Sequence, residues 1–521
     1  MESQSYLATL LVIGGGNAWN TVAARLALDH ANYSVALIEA GSFYEILSGN
    51  KTQIPGYNYE AANPSNNANN QLLTQVLHAI ETEPIPGYNG RSIGYTTGVT
   101  FGGSTAANYG GYARATAGSH DLWVNVVKDD FWSWDNVYPF YKKSVNFSPP
   151  DYTKIDPTLN ITYDETATIA GAVDPRTATR SSSETSFLQA AAGKTGLKIY
   201  PNTLAKRILF DGDKKATGVE VEGSSLTSDF SWVISARKEV IVSAGVWRSP
   251  QILMVSGVGP ANTLSEHGID LVVDIPAVGQ NAWDQPFMAH VYKVNVETNS
   301  QIVAGNSKVV AEVTEEYLNH QSGHLSSIGA GGALGFEKYP ASLHGEVLSE
   351  STVSFLSTFP EDWPDTNYLP LESSAVPNDI GPNDIYLLYG STLFSTSARG
   401  NVTIRSADTA DDPLVSPNWL GDEGDVEMAS SWVPAANVTT REQIVDWVRN
   451  NSALTYHGAC TCKMGADDDA DSVVDTRTRV RGVTGLRIVD ASAFAILPPG
   501  YPMAVVYMFA EKIADAILTD N

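Results

Sequence analysis

The first forty residues constrain this chain most. Leu7 to Ile13 is an apolar run of strand length, and Gly14, Gly15 and Gly16 follow it. Thr21 to Leu28 has helical composition, and Ser34 to Ile38 is a second apolar run ending in Glu39-Ala40-Gly41. Strand, glycine turn, helix and strand in about thirty residues is a βαβ unit, the opening of a nucleotide-type α/β domain. Its continuation lies far along the chain. Lys198 to Val221 reads as strands around an Asp211-Gly212-Asp213 turn, Ser235 to Val242 as another strand, and Ser249 to Met254 as the start of a helix with Pro250 near its beginning. Leu486 to Asp490 is a last strand and Ala504 to Leu518 a closing helix. Between them, from Gln285 to about Leu454, strands alternate with proline-rich loops, which predicts a second, α+β domain on an antiparallel sheet. The expected division is 1–150 and 151–284 for the nucleotide-binding part, 285–454 for the inserted substrate domain, and 455–521 for the return. Two stretches are loops by composition: Tyr57 to Asn70, rich in Asn and Pro, and Gly98 to Gly111, whose glycines suit a ligand wall.

Composition narrows the classes of function. With 521 residues and 43% apolar content the chain has enough material for two to four packed lobes. A net charge of -26 without a basic patch argues against nucleic acid as a partner. No apolar run reaches the ~20 residues that span a bilayer. The start of the chain has no basic region of the secretory type, while seven Asn-x-Ser/Thr sequons (Asn32, Asn50, Asn146, Asn160, Asn401, Asn437, Asn450) give weak support to secretion, so secreted and cytoplasmic locations both stay open. The two cysteines, Cys460 and Cys462, read as small buried hydrophobes, because a bridge between strand neighbours at i and i+2 is strained. No metal site is expected: the run Asp467, Asp468, Asp469 and Asp471 lacks the glycine punctuation of a calcium loop and reads as a solvated turn. His30, His78, His267 and His344 have no partner spacing and are assigned surface or structural places.

Five further segments carry a resemblance. They are Gly102-Gly103-Ser104-Thr105-Ala106-Ala107-Asn108, the long stretch from Ser243 to Pro260, Ser397 to Ile404, Tyr456-His457-Gly458-Ala459-Cys460-Thr461-Cys462-Lys463-Met464-Gly465, and Val489-Asp490-Ala491-Ser492. Together with the glycine turn they span nearly the whole chain, which resembles the glucose–methanol–choline (GMC) oxidoreductases, in their fungal style. The resemblance implies a Rossmann-like FAD-binding fold. It assigns the FAD pyrophosphate to Gly14, Gly16 and the following helix, where backbone N–H groups and the helix dipole meet an anion. It assigns the adenosine ribose to Glu39 and the flavin surroundings to Gly103, Ser104, Asn108, Asp490 and Ala491. His457 matches the family's catalytic base.

Three departures bear on that assignment. The third glycine of the dinucleotide turn is Trp19, which is expected to point at the phosphate site or wedge the helix away, obstructing FAD. The segment after the last strand reads Pro498-Pro499-Gly500-Tyr501-Pro502-Met503-Ala504-Val505, so Tyr501 stands where the family has His or Asn, and apolar residues replace polar ones. Gln285 follows Asp284 where the family commonly has His. Trp19, Met503 and Val505 are therefore expected to line an apolar pocket, with His457 and Tyr501 flanking the substrate. The expectation that follows is an enzyme of fungal secondary metabolism, repurposed for a redox-neutral isomerisation, elimination or cyclisation of a small apolar metabolite, with FAD lost or doubtful. The alternatives are an FAD-dependent oxidoreductase acting on CH–OH groups and a non-catalytic metabolite carrier.

Overall fold

The computed structural model describes residues 6–30, 33–58, 73–149, 153, 158, 169–224, 230–328, 334–371, 383–431 and 438–519. Most of the Tyr57–Asn70 loop and the sequons at Asn32, Asn160 and Asn437 lie outside the described residues.

The chain opens with β1 (Tyr6–Ile13), α1 (Asn17–Leu28) and β2 (Val35–Ile38). It returns to the same sheet with β3 (Lys198–Tyr200), β4 (Thr203–Phe210), β5 (Ala216–Gly223) and β6 (Ser231–Val242). A separate block holds β7 (Pro286–Lys293), β8 (Gly335–Glu337), β9 (Thr366–Leu371), β10 (Tyr386–Leu393) and β11 (Ala453–Leu454). The last elements are β12 (Leu486–Ile488) and α2 (Pro502–Thr519).

The first sheet has seven strands in the order β3-β2-β1-β6-β5-β4, with β12 beside β6. β1 pairs in parallel with β2 and β6, and β6 in parallel with β12, whereas β4, β5 and β6 form an antiparallel meander. β6 is twelve residues long, so one strand joins both halves of the sheet. β2, an inner strand of the parallel half, is buried at all four positions, as its continuous apolar sequence requires. α1 packs on this sheet, and α2 packs on α1 and on a helix at Trp134–Lys143. α2 is enclosed nearly all round, and its buried Glu511 is held by Arg25 on α1 and by Lys143. A buried carboxylate is tolerated here because it is paired.

The second sheet has five strands, β8-β9-β10-β7-β11, all antiparallel. The fold is thus a Rossmann-like α/β layer plus a substrate domain on an antiparallel sheet. The proline-rich middle also holds a helix at Ser307–His320 that the strand reading of this block did not anticipate. Its charged and polar residues hide a narrow apolar stripe at Val313 and Tyr317. Cys460 and Cys462 are fully buried free thiols.

Candidate functional site

A single cavity of about 1400 Å³ runs between the two sheets. That exceeds the ~300–1,000 Å³ of an ordinary small-ligand pocket. Its floor is formed where the parallel strands end: Ile13-Gly14 after β1, Glu39 after β2, Asn202 after β3, Ser243-Ala244-Gly245 after β6 and Asp490-Ala491 after β12. Open α/β sheets bind ligands at this edge because the chain leaves successive strands for opposite faces there.

The end nearest α1 is built from backbone. Gly14 has φ +105°, and a Cβ there would lie 2.4 Å from the Ser243 carbonyl oxygen. A Cβ on Gly103 (φ +48°) would lie 2.6 Å from Gly16 Cα. The glycine turn, the strand-end loop after β6 and the Gly103 loop therefore touch at distances only glycine permits. A Cβ on Gly16 would meet nothing within 4 Å, because this residue faces the cavity. Gly16 caps α1 with no side-chain hydrogen bond, and the first turn holds no acidic residue. The first-turn N–H groups of a twelve-residue helix thus face a cradle that suits an anion. Glu39 closes this end. Its Oε2 accepts from Gly15 N–H at 2.6 Å and its Oε1 from Gly41 N–H at 2.9 Å, while burial raises its pKa.

Trp19 does not enter this cradle, which corrects the expected obstruction. It is wholly buried in the main core and is absent from the cavity wall. The reason is helix phase. At 100° per residue Trp19 falls on the same stripe as Val22, Ala23 and Leu26, all wholly or almost wholly buried, while Asn17 and Ala18 face the cavity. Val505 is corrected likewise. Pro502, Met503 and Val506 carry the cavity face of α2, and Val505 is turned into the core.

The other predicted residues fall along the cavity. Ser104 is exposed on its wall at the start of a one-turn helix, Ser104–Ala107. Asn108 is fixed by its neighbours: Oδ1 accepts from Gly110 N–H and from Arg180 Nη1, and Nδ2 points to Met503 Sδ at 3.4 Å. Asp490 accepts four hydrogen bonds, from Ser492 N–H and Oγ on one oxygen and from Gly245 N–H and Ser249 Oγ on the other. Its carboxyl ties β12 to the loop after β6, and burial raises its pKa.

At the far end His457 and Tyr501 meet, with ring centroids 5.6 Å apart and planes at 63°. His457 is reached through strained backbone, since Tyr456 has φ +61°, an outlier for an aromatic residue. The loop is held by β11 pairing with β7, by Trp283 exchanging both backbone bonds with Ala459, and by Cys460 and Cys462 N–H donating to Ala491 and Ser492 carbonyls. His457 N–H donates to Asp284 Oδ1 at 2.9 Å, and its Nδ1 lies 2.6 Å from Gln285 Oε1. Burial lowers the imidazole pKa to about 3, so the ring is neutral. Burial lifts Asp284 to about 7, and the Tyr95 hydroxyl lies against it. The Tyr501 hydroxyl accepts from Asn367 Nδ2 at 2.8 Å, and burial raises its pKa well above that of a free phenol.

Three residues of this end were not assigned roles from the sequence. Asn367 sits on β9 and is locked by Thr392 N–H donating to its Oδ1. Asp284 and Gln285 precede β7. The departure at Gln285 was visible in the sequence, but its contact with His457, 172 positions away, was not. The register of the second sheet places Asn367, Leu369 and Leu371 of β9, Leu388, Gly390 and Thr392 of β10, and Phe287 of β7 on one face. Gly390 leaves the space the Phe287 ring occupies, since a Cβ there would lie 2.2 Å from Cζ. None of the described cavity residues between positions 287 and 458 carries a charged side chain. Among the described residues no cluster of His, Cys, Asp or Glu could hold a metal ion, and no helix is long and apolar enough to cross a membrane.

Comparison with known proteins agrees with this architecture. Family models described as GMC oxidoreductase match residues 8–167 and 158–287 at the N-terminal side and 396–510 at the C-terminal side. A glucose methanol choline oxidoreductase of Aspergillus terreus is 38% identical over 98% of this chain and 92% of its own length. A versicolorin B synthase of Emericella nidulans is 36% identical over 98% of this chain and 89% of its own, and a patulin synthase of Aspergillus clavatus is 36% identical over 97% and 90%. Among solved structures a formate oxidase superposes with a TM-score of 0.84 at 21% identity, covering 100% of this chain and 99% of that one. An FAD-dependent oxidoreductase from Chaetomium thermophilum gives 0.83 at 23% identity, covering 98% and 99%.

Proposed function

The chain belongs to the GMC oxidoreductase family, and from that premise we propose that it binds FAD and oxidises the CH–OH group of a small, uncharged, apolar metabolite. One observation carries this reading: an open glycine cradle and the His457–Tyr501 pair lie on the wall of the same cavity. The donor set fits the cofactor. The first turn of α1 with Gly14 and Gly16 would hold the pyrophosphate and Glu39 the ribose, and the Gly103–Asn108 loop, Asp490, Ala491 and Met503 would border the ring. FAD, when bound, supplies the acceptor for the hydride.

The residues of the chain handle the proton and the fit. His457 is neutral and offers a lone pair, so it accepts the hydrogen bond, and then the proton, of the substrate hydroxyl. The Tyr501 hydroxyl already accepts from Asn367, so its own proton is free to bond the same substrate oxygen. One acceptor and one donor hold an alcohol oxygen in a defined orientation. Phe287, Leu369, Leu371 and Leu388 exclude water and give an ionised substrate no partner, at a cost of several kcal/mol (~5) for a buried unpaired charge. The fungal relatives named for synthesis of versicolorin B and patulin support a place in secondary metabolism.

Purified protein should take up FAD and retain it through desalting. Anaerobic mixing with neutral aromatic or aliphatic alcohols should bleach the flavin bands, while the matching acids and amines should not. Protein that stays colourless after FAD is added overturns the reading. A second reading, redox-neutral proton transfer, draws on Tyr501 and on the apolar Met503 at the cavity edge. Its mark is a product of unchanged mass, or one lighter by a water, formed without flavin bleaching.

A further inference from the structure

We infer that Gln285 is the positioning residue that sets the tautomer of His457, and so decides that this imidazole meets its substrate as an acceptor. The inference rests on the His457 role proposed above. An amide oxygen can only accept, so the 2.6 Å contact from Gln285 Oε1 requires the hydrogen on Nδ1. Nε2 then carries the lone pair. Gln285 is wholly buried, and its position is locked on the backbone: its N–H donates to Asp284 Oδ1, and its carbonyl accepts from Thr455 Oγ1 at 2.8 Å. Consecutive residues therefore grip His457 twice, Asp284 at the backbone N–H and Gln285 at the ring.

The amide end of Gln285 marks the alternative. Its Nε2 is buried and meets no acceptor among the described residues. Among the described residues the contact of Oε1 with Nδ1 is the one hydrogen bond this side chain makes. Turned over, the amide would donate to Nδ1, and Nε2 would carry the hydrogen. The cavity would then present two donors, His457 and Tyr501, and no acceptor for a hydroxyl proton. An uncharged amide oxygen at Nδ1 favours the neutral Nδ1–H form without stabilising imidazolium, whereas a carboxylate at the same place would stabilise it. Tyr501 stands against the ring and Asp284 holds the backbone N–H, and neither hydrogen-bonds Nδ1.

The test uses full-length protein labelled with ¹⁵N-histidine, read by long-range nitrogen–proton NMR, with the His457 signal identified by its loss in His457→Asn. The expected wild-type pattern is the neutral Nδ1–H form throughout neutral pH. Gln285→Met should give a mixture of the two neutral tautomers. Gln285→Glu should hold the ring as imidazolium at neutral pH, and Gln285→Asn, too short to reach Nδ1, should resemble Gln285→Met. A wild-type Nε2–H pattern overturns the inference, and so does an unchanged Nδ1–H pattern in the Met and Asn variants. These readouts need neither flavin nor turnover. If the tautomers behave as expected and no alcohol is oxidised, the functional reading fails while the Gln285 assignment stands.

Discussion

The two ends of the cavity are made of different materials. Near α1 the groups that would meet a ligand are backbone N–H donors around glycines with the Glu39 carboxyl, whereas at the far end they are the side chains of His457 and Tyr501, held from behind by Gln285 and Asn367. The two ends therefore tolerate change differently. A large residue at position 19 leaves the cradle open, because backbone donors keep their direction when a neighbouring side chain turns into the core. At the far end each replacement alters the chemistry on offer: Tyr501 supplies a hydroxyl with its own amide partner, and Gln285 an uncharged contact to the imidazole.

Substitutions at either end should separate these roles. The largest effect on turnover is expected from His457→Ala, which removes the acceptor and should lower kcat by about 10²–10⁴-fold while FAD is retained. Stopped-flow reduction of the flavin measures it, and an unchanged reduction rate would sink the assignment. Gly16→Val strikes the opposite end. The added side chain has room in the protein but fills the cradle, so the fold should persist while FAD affinity falls by about 10²-fold, or ~2.7 kcal/mol. Thermal melting together with FAD titration checks both halves. Tyr501→Phe deletes one hydrogen bond to substrate and leaves Asn367 Nδ2 without its acceptor; kcat/KM should drop about tenfold, ~1.4 kcal/mol, with FAD binding intact.

The smallest effect on turnover is expected from Asp284→Asn, whose readout is stability. Burial raises this carboxyl from the ordinary 3.8 to about 7. Between those values the folded protein keeps a proton that the unfolded chain has lost. The contribution is therefore full below about 4 and fades as pH rises through about 7. Denaturant midpoints at about pH 5 and about pH 8 should show the Asn variant gaining relative to the parent as pH rises. Equal differences at both pH values would mean that Asp284 does not titrate in this window.

Much of the fold was legible from short-range pattern. The strands at Leu7–Ile13, Ser34–Ile38 and Ser235–Val242 were readable because their central or final residues are apolar and buried in the sheet, and the observed strands differ from these bounds by only a few residues. The helix at Ser307–His320 was not legible, because its apolar stripe is short and its remaining surface polar. Within the candidate site, His457 and Tyr501 could be named from sequence, but their partners could not. Asn367 reaches Tyr501 across 134 positions and Gln285 reaches His457 across 172, and no local periodicity encodes such contacts.

The amino-acid sequence by itself determined the α/β class, the glycine turn and the antiparallel insert, since these follow from residue types repeated at strand and helix spacing, and its motif segments carried the resemblance to the family. Only the tertiary structure decided where Trp19 and Val505 point. A side chain's direction depends on the phase of its helix against the neighbouring layers, and a difference of one residue turns it by 100°, from the cavity into the core. The partners of the imidazole were decided by strand pairing: β11 lies beside β7 in the second sheet, and this brings His457 against Asp284 and Gln285 from a distant part of the chain.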